Sequence, residues 1–164
     1  MIDEEIKFIA QIDFPEIELQ FDKVYFDYHG VQLYKNEDAR KLAKNLAQIA
    51  FPNSQITVLN SRIHVMPPGV VLQEHTDRRP PDAEHFHVLH FPLKTNKDAY
   101  LAFGDKRYML EKHSLYEFNY TKPHWGANEG DEERIHLFIE VYAFDRFPTE
   151  SVGPEKIGDL SQYD

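Results

Sequence analysis

His75 and Asp77, in the stretch Gln73-Glu74-His75-Thr76-Asp77, form the pair in this chain best suited to hold a metal. The stretch ends an apolar run that follows a Pro67-Pro68-Gly69 turn. In an extended chain residues i and i+2 point to the same face, so the imidazole and the carboxylate stand side by side as two cis ligands. A third ligand has to come from a distant part of the sequence. His124, in Thr121-Lys122-Pro123-His124-Trp125, meets that need at the start of a loop between two strand-like runs. Two imidazoles and one carboxylate on one side of a metal leave its other positions open, the arrangement used by non-haem iron(II) oxygenases. An H-x-D pair alone says little, because such pairs recur by chance. The additional feature is Arg134, ten positions after His124, at the head of the strand-like run RIHLFIEVY. A guanidinium on an otherwise apolar strand is costly to bury without a bidentate anion partner. A dicarboxylate co-substrate supplies one.

The elements that must position these groups are mostly strands. From Gln55 onward, the runs ITVLNSRIHVM, VVLQEHTD, FHVLHFPL, AYLAF, RYML, SLYEF and RIHLFIEVYAF are separated by Pro67-Pro68-Gly69, Thr95-Asn96-Lys97-Asp98 and Gly104-Asp105. Seven short strands with no crossover helix between them predict a mainly β sandwich or jelly roll. One helix is predicted over Asn36 to Ala50, where Ala39, Leu42, Ala43, Leu46, Ala47 and Ala50 recur at helical spacing behind a capping Asn36. Before it, Phe14 to Tyr34 suggests one or two short strands around a turn at His29-Gly30. The expected organisation is one catalytic domain over 1–147, with a β core at about 55–145, an N-terminal α/β support over 1–54 and a flexible tail over 148–164.

Bulk composition narrows the partners. The formal charge of −10 disfavours a nucleic-acid backbone. The absence of cysteine rules out disulfides and thiolate metal sites. The acidic start lacks a basic n-region and a long apolar run, so neither a secretory leader nor a membrane span is expected, and a cytoplasmic protein is. Of nine histidines, eight lie from His64 onward, which puts the chemistry in that part of the chain.

The segments HTD, HFHVLHFPLKTN and HWGANEGDEERIHLFIEVY resemble the aspartyl/asparaginyl β-hydroxylase and bacterial proline hydroxylase branch of the 2-oxoglutarate oxygenases, over about Ser61 to Tyr142. The resemblance implies a double-stranded β-helix of jelly-roll, cupin-like type. It implies that His75, Asp77 and His124 hold iron(II), that Arg134 pairs with the distal carboxylate of 2-oxoglutarate, and that His90 lies near the co-substrate's metal-binding end. The implied reaction couples oxidative decarboxylation of 2-oxoglutarate by dioxygen to hydroxylation of an unactivated C–H bond. Two departures matter. Asp77 is present where animal members of the family look to lack a metal carboxylate, which places the chain nearer the bacterial branch; and the arginine often found two residues before His90 is Val88 here, with His87 or Arg62 as substitutes.

Arg62, His64, Arg78, Arg79 and Trp125 are the candidate substrate-binding residues. Four of them have a plain structural alternative: core packing for Trp125, a solvated loop for Arg78 and Arg79, and an outward-facing position for His64. His29 and His113 are expected to be exposed, and Glu129 to Glu133 to form a solvated acidic loop. The function expected is hydroxylation of a small-molecule or peptide substrate: an amino acid, or an aspartyl, asparaginyl or prolyl residue in a peptide. The alternatives are a cupin-type enzyme independent of 2-oxoglutarate and a non-catalytic jelly-roll module binding metal or 2-oxoglutarate.

Overall fold

The computed structural model describes residues 2, 4–15 and 26–145. The tail expected over 148–164 lies outside the described residues. In chain order the elements are β1 (Ile6–Gln11), β2 (Phe26–Tyr28), β3 (Val31–Tyr34), α1 (Glu37–Ala50), β4 (Ser54–Met66), β5 (Val71–His75), β6 (Phe86–Lys94), β7 (Ala99–Phe103), β8 (Lys106–Tyr108), β9 (Ser114–Phe118), β10 (His124–Asn128) and β11 (Arg134–Asp145).

The helix forms where its periodicity places it. The Asn36 side chain accepts from the backbone N–H groups of Asp38 and Ala39, satisfying two donors of the first turn. Ala39, Ala43, Leu46 and Ala47 form its buried stripe. The β2–β3 hairpin turns through His29 (φ 50) and Gly30 (φ 95), two consecutive left-handed residues that suit a tight hairpin.

Two antiparallel sheets result, ordered β1-β9-β6-β11-β4-β3-β2 and β5-β10-β7-β8. From β4 onward the pairs are nested: β7 with β8, β6 with β9, β5 with β10, β4 with β11. A long hairpin wrapped in this way is a jelly roll, which agrees with the expected fold. Strand β1 is an addition to the sequence reading. It pairs with β9 through a register shift between Phe8 and Ala10, and that shift breaks the alternation a sequence pattern would need.

Period-two alternation gives the large sheet two functions. Ile63 and Val65 of β4, Leu89 and Phe91 of β6, and Leu137, Ile139 and Val141 of β11 pack against α1 as the main core. The residues between them, Arg62, His64, Met66, Val88, His90, Arg134 and Phe138, line a cavity of about 450 Å³ that also reaches residues of the small sheet. In these three strands one face therefore holds the fold, and the other lines the site.

Candidate metal centre

His75 ends β5 and His124 begins β10, and the two are cross-strand partners. Their rings lie 4.4 Å apart, centroid to centroid. Asp77 completes the group: its Oδ1 is 3.6 Å from His75 Nε2 and its Oδ2 is 3.5 Å from His124 Nε2. One ligand atom from each of the three lies within 4.8 Å of the others. The chain past β5 is tied down where Asp77 N–H donates to the carbonyl of Tyr120, at 3.2 Å. The placement of His124 differs from the loop expected. It is the first residue of a central strand, because β10 is laddered by β5 on one side and β7 on the other despite its weak strand formers Gly126, Ala127 and Asn128. Gly126 eases the close packing there: a Cβ would stand 3.2 Å from the Tyr100 carbonyl.

These three groups fit a divalent transition metal. Nδ1 of His75 lies 2.8 Å from the Gln73 carbonyl, and Nδ1 of His124 lies 2.8 Å from the Lys122 carbonyl. Nδ1–H must be the donor in each, so both imidazoles turn an Nε2 lone pair towards Asp77, which is the tautomer a metal needs. Burial also pushes the His124 pKa below its ordinary value, favouring the neutral, ligating form.

Across the cavity, Arg134 heads β11 opposite Met66 and is 5% exposed. Burial lowers its pKa to about 10, so it remains a cation at neutral pH. Its Nε has no partner, and no carboxylate pairs with it among the described residues. His90 lies beside this end of the cavity, its Nδ1 3.2 Å from Nδ1 of His136. Burial is the first cause holding both rings neutral, His90 at about 3 and His136 well below 6.5, with the Arg134 charge adding to it. Two neutral imidazoles can share that bond only as opposite tautomers. Among the described residues six buried side-chain polar atoms lack partners, and five of them, Arg62 Nε, His64 Nε2, His90 Nε2, Tyr120 OH and Arg134 Nε, belong to residues lining this one cavity. Buried polar atoms are rarely left unpaired without a ligand or water to meet them, so these five mark the cavity as a place for polar partners.

The remaining candidates separate clearly. His64 lines the cavity, its ring stacked on Phe138 at 4.7 Å. Arg62 lines it too, ion-paired with Glu140 of β11. Arg78 reaches the mouth, whereas Arg79 is exposed and lies off the lining. Trp125 faces away: its Nε1 donates to the Gly104 carbonyl at 3.0 Å and its ring packs on Tyr100. Val88 lines the cavity, but His87 cannot stand in for the absent arginine there, because the alternation of β6 turns it outward to Glu117, 2.8 Å away. His29 is exposed as expected, but His113 is half-buried between Phe14 and Phe91.

Sequence reasoning missed His136, Tyr120, Glu140 and the role of Asn128. Asn128 donates to the carbonyls of Met66 and Glu132 and accepts from Gly130 N–H and Asn96, which fixes the turn that delivers Arg134.

Comparison with known proteins gives this geometry a family. Among proteins of curated function, none matches the sequence. Solved structures of similar fold include a prolyl-4-hydroxylase from Pseudomonas putida (13% identity, 71% of this chain and 73% of that one, TM-score 0.47). A Burkholderia pseudomallei oxidoreductase of the 2OG-Fe(II) oxygenase family matches at 10% identity over 86% of this chain and 70% of that one, with a TM-score of 0.48. A Bordetella pertussis cupin domain matches at 17% identity over 56% and 93%, with a TM-score of 0.38. Identities this low carry no information on substrate. The sequence itself is matched over residues 12–143 by the family model described as aspartyl/asparaginyl beta-hydroxylase, and the chain belongs to that family.

Proposed function

We propose that the protein is an iron(II)- and 2-oxoglutarate-dependent hydroxylase acting on an amino acid or a peptide residue. In the balanced reaction, substrate C–H, 2-oxoglutarate and dioxygen give substrate C–OH, succinate and carbon dioxide. The observation that carries the reading is the pairing of a His75/Asp77/His124 ligand set with an unpaired, buried Arg134 in one cavity. When bound, the metal would supply the activation of dioxygen, and the chain's own residues do the rest.

His75 and His124 of the small sheet, with Asp77 just past β5, would hold the metal, the tautomers of the two imidazoles being fixed by the Gln73 and Lys122 carbonyls. Arg134 offers its fork of N–H donors to the distal carboxylate of the co-substrate, satisfying both charges at once. His90, with an unpaired Nε2 at the same end, supplies a further polar contact to that guest. Phe86, Val88, Phe118 and Phe138 wall the cavity and exclude water from the reacting centre. The reading places the reaction in the cytoplasm, with neither nucleic acid nor membrane as a partner; the described residues contain no helix long and apolar enough to cross a membrane.

The test is 2-oxoglutarate-dependent release of succinate by the iron-loaded protein, compared with His124→Ala. The expected result is release that rises with a true substrate and is lost in the variant; equal rates in the two proteins would contradict the reading. A cupin-type reaction without 2-oxoglutarate predicts the reverse for Arg134, whose replacement would leave turnover intact.

A further inference from the structure

The cavity carries two charged subsites of different character. At one end stands Arg134, a lone cation. On the same face of the large sheet stands an ion pair, Arg62 of β4 with Glu140 of β11, both lining the cavity and with side chains 25% and 19% exposed. Arg134 is the register partner of Met66, and Arg62 lies four residues back along β4. At roughly 3.3 Å per residue the backbone positions of the two subsites are about 13 Å apart along the strand, and the Arg62 guanidinium is already engaged by Glu140, so one small dicarboxylate held at Arg134 leaves the pair to another guest. The pair is also incompletely satisfied, since Arg62 Nε is buried with no partner.

Between the two subsites the wall is apolar. Phe138 lies under the Arg62 guanidinium, 5.4 Å from ring centroid to Cζ, with the neutral His64 ring stacked on it. Val88 and Phe86 of β6, Leu101 of β7 and Phe118 of β9 continue this surface to the ligands, and the Phe118 ring is 4.7 Å from that of His124. The remaining cation of the lining, Arg78, is exposed at the mouth, where solvent screens it. A carboxylate laid against the wall beside the metal ligands would lose its hydration and find only neutral groups such as the Tyr120 hydroxyl, and no buried cation, to replace it.

We propose that the substrate is a free amino acid with an apolar side chain. Its carboxylate is held by Arg62 and its ammonium by Glu140, while its side chain lies along Phe138, Val88 and Phe118 towards His75, Asp77 and His124. A zwitterion suits this pair because each protein charge exchanges one partner for another and neither is left buried alone. A residue inside a peptide carries neither charge and leaves the pair nothing to gain. At about 450 Å³ the cavity has the volume of an ordinary small-ligand pocket. The assignment rests on the hydroxylase reading and narrows it, by setting acidic side chains and internal peptide residues aside.

The test is binding without turnover: calorimetric titration of the iron(II)-loaded protein under nitrogen, with and without 2-oxoglutarate. The panel is leucine, valine, phenylalanine, proline, aspartate and N-acetyl-leucinamide. At least one apolar amino acid is expected to bind ten-fold or more tightly than both aspartate and the blocked derivative. Glu140→Gln is expected to weaken that amino acid at least ten-fold while still binding 2-oxoglutarate, which also shows that the variant is folded; Glu140→Asp should recover part of the loss. Equal or tighter binding of aspartate, equal binding of N-acetyl-leucinamide, or binding of no amino acid by a protein that binds 2-oxoglutarate overturns the proposal. Binding of leucine without any binding of 2-oxoglutarate would overturn the hydroxylase reading instead and leave the zwitterion site standing.

Discussion

Replacing Arg134 by methionine separates the burden of a buried charge from its use. In the ligand-free protein the guanidinium is held without a counter-anion, and burial lowers its pKa from the ordinary arginine value to about 10. A difference of that size corresponds to about 3 kcal/mol against the charged form in the folded state, on the order of 1.4 kcal/mol per pH unit. The sign is that of a depressed base: the penalty is present at neutral pH and is relieved only as pH rises through the folded value. Methionine keeps the apolar stem and removes the charge, so the ligand-free variant should unfold at the same urea concentration as wild type or a higher one. The co-substrate should behave oppositely. Removing one partner of a buried, hydrogen-bonded charge pair costs about 2–5 kcal/mol, which is a loss of roughly 30- to 5,000-fold in affinity. At about 100 times its dissociation constant a ligand stabilises the fold by about 2.7 kcal/mol, and the variant should keep at most about a third of that stabilisation at the same concentration. Thermal unfolding with and without 2-oxoglutarate reads both effects in one assay. A variant stabilised as much as wild type by 2-oxoglutarate would refute the assignment of Arg134 as its anchor.

Three further outcomes follow from the same geometry. His136→Phe removes the partner that fixes His90, and the KM for 2-oxoglutarate in the succinate assay should rise about ten-fold with little change in kcat, the size of one lost hydrogen bond; an unchanged KM would show that His90 needs no partner. Acid should destabilise the fold early. Below pH 6.5 the unfolded chain protonates imidazoles that the folded chain keeps neutral, His90 down to about 3 and His64 and His136 well below 6.5, so stability falls as pH drops through that range. The slope approaches at most about 4 kcal/mol per pH unit for three such groups, and urea unfolding that is flat between pH 6.5 and 5 would contradict their burial as neutral rings. Asn128→Ala strips buried partners from the Met66 and Glu132 carbonyls and from Gly130 N–H, and should cost about 2–4 kcal/mol in urea denaturation, with weaker 2-oxoglutarate binding as Arg134 loses its placement.

The ligand pair was legible because it depends only on local geometry: His75 and Asp77 are two residues apart in extended chain, and alternation does the rest. Arg134 was legible for a different reason, since a cation heading an apolar strand requires an anion. What the sequence hid was chiefly cross-strand. His136 matters through His90, and Glu140 through Arg62, and both partnerships come from the registers of β11 with its two neighbours. Placing His124 in a loop also concealed a readable fact. Once it begins a strand, Trp125 must face the other way, where it packs on Tyr100 rather than entering the cavity. The same alternation turns His87 outward and leaves Val88 inside, so the missing family arginine is replaced by apolar wall and not by a neighbouring imidazole. Strand β1 escaped notice because its bulge breaks period-two patterning over only six residues.

The central claim, that one cavity holds both iron(II) and 2-oxoglutarate, is tested most directly by an anaerobic absorption titration. Protein loaded with iron(II) should develop a visible metal-to-ligand charge-transfer band as 2-oxoglutarate is added, saturating at one equivalent, absent in His124→Ala and shifted to far higher concentration in Arg134→Met. Folded, iron-loaded protein that shows no such band at any concentration of 2-oxoglutarate would contradict it.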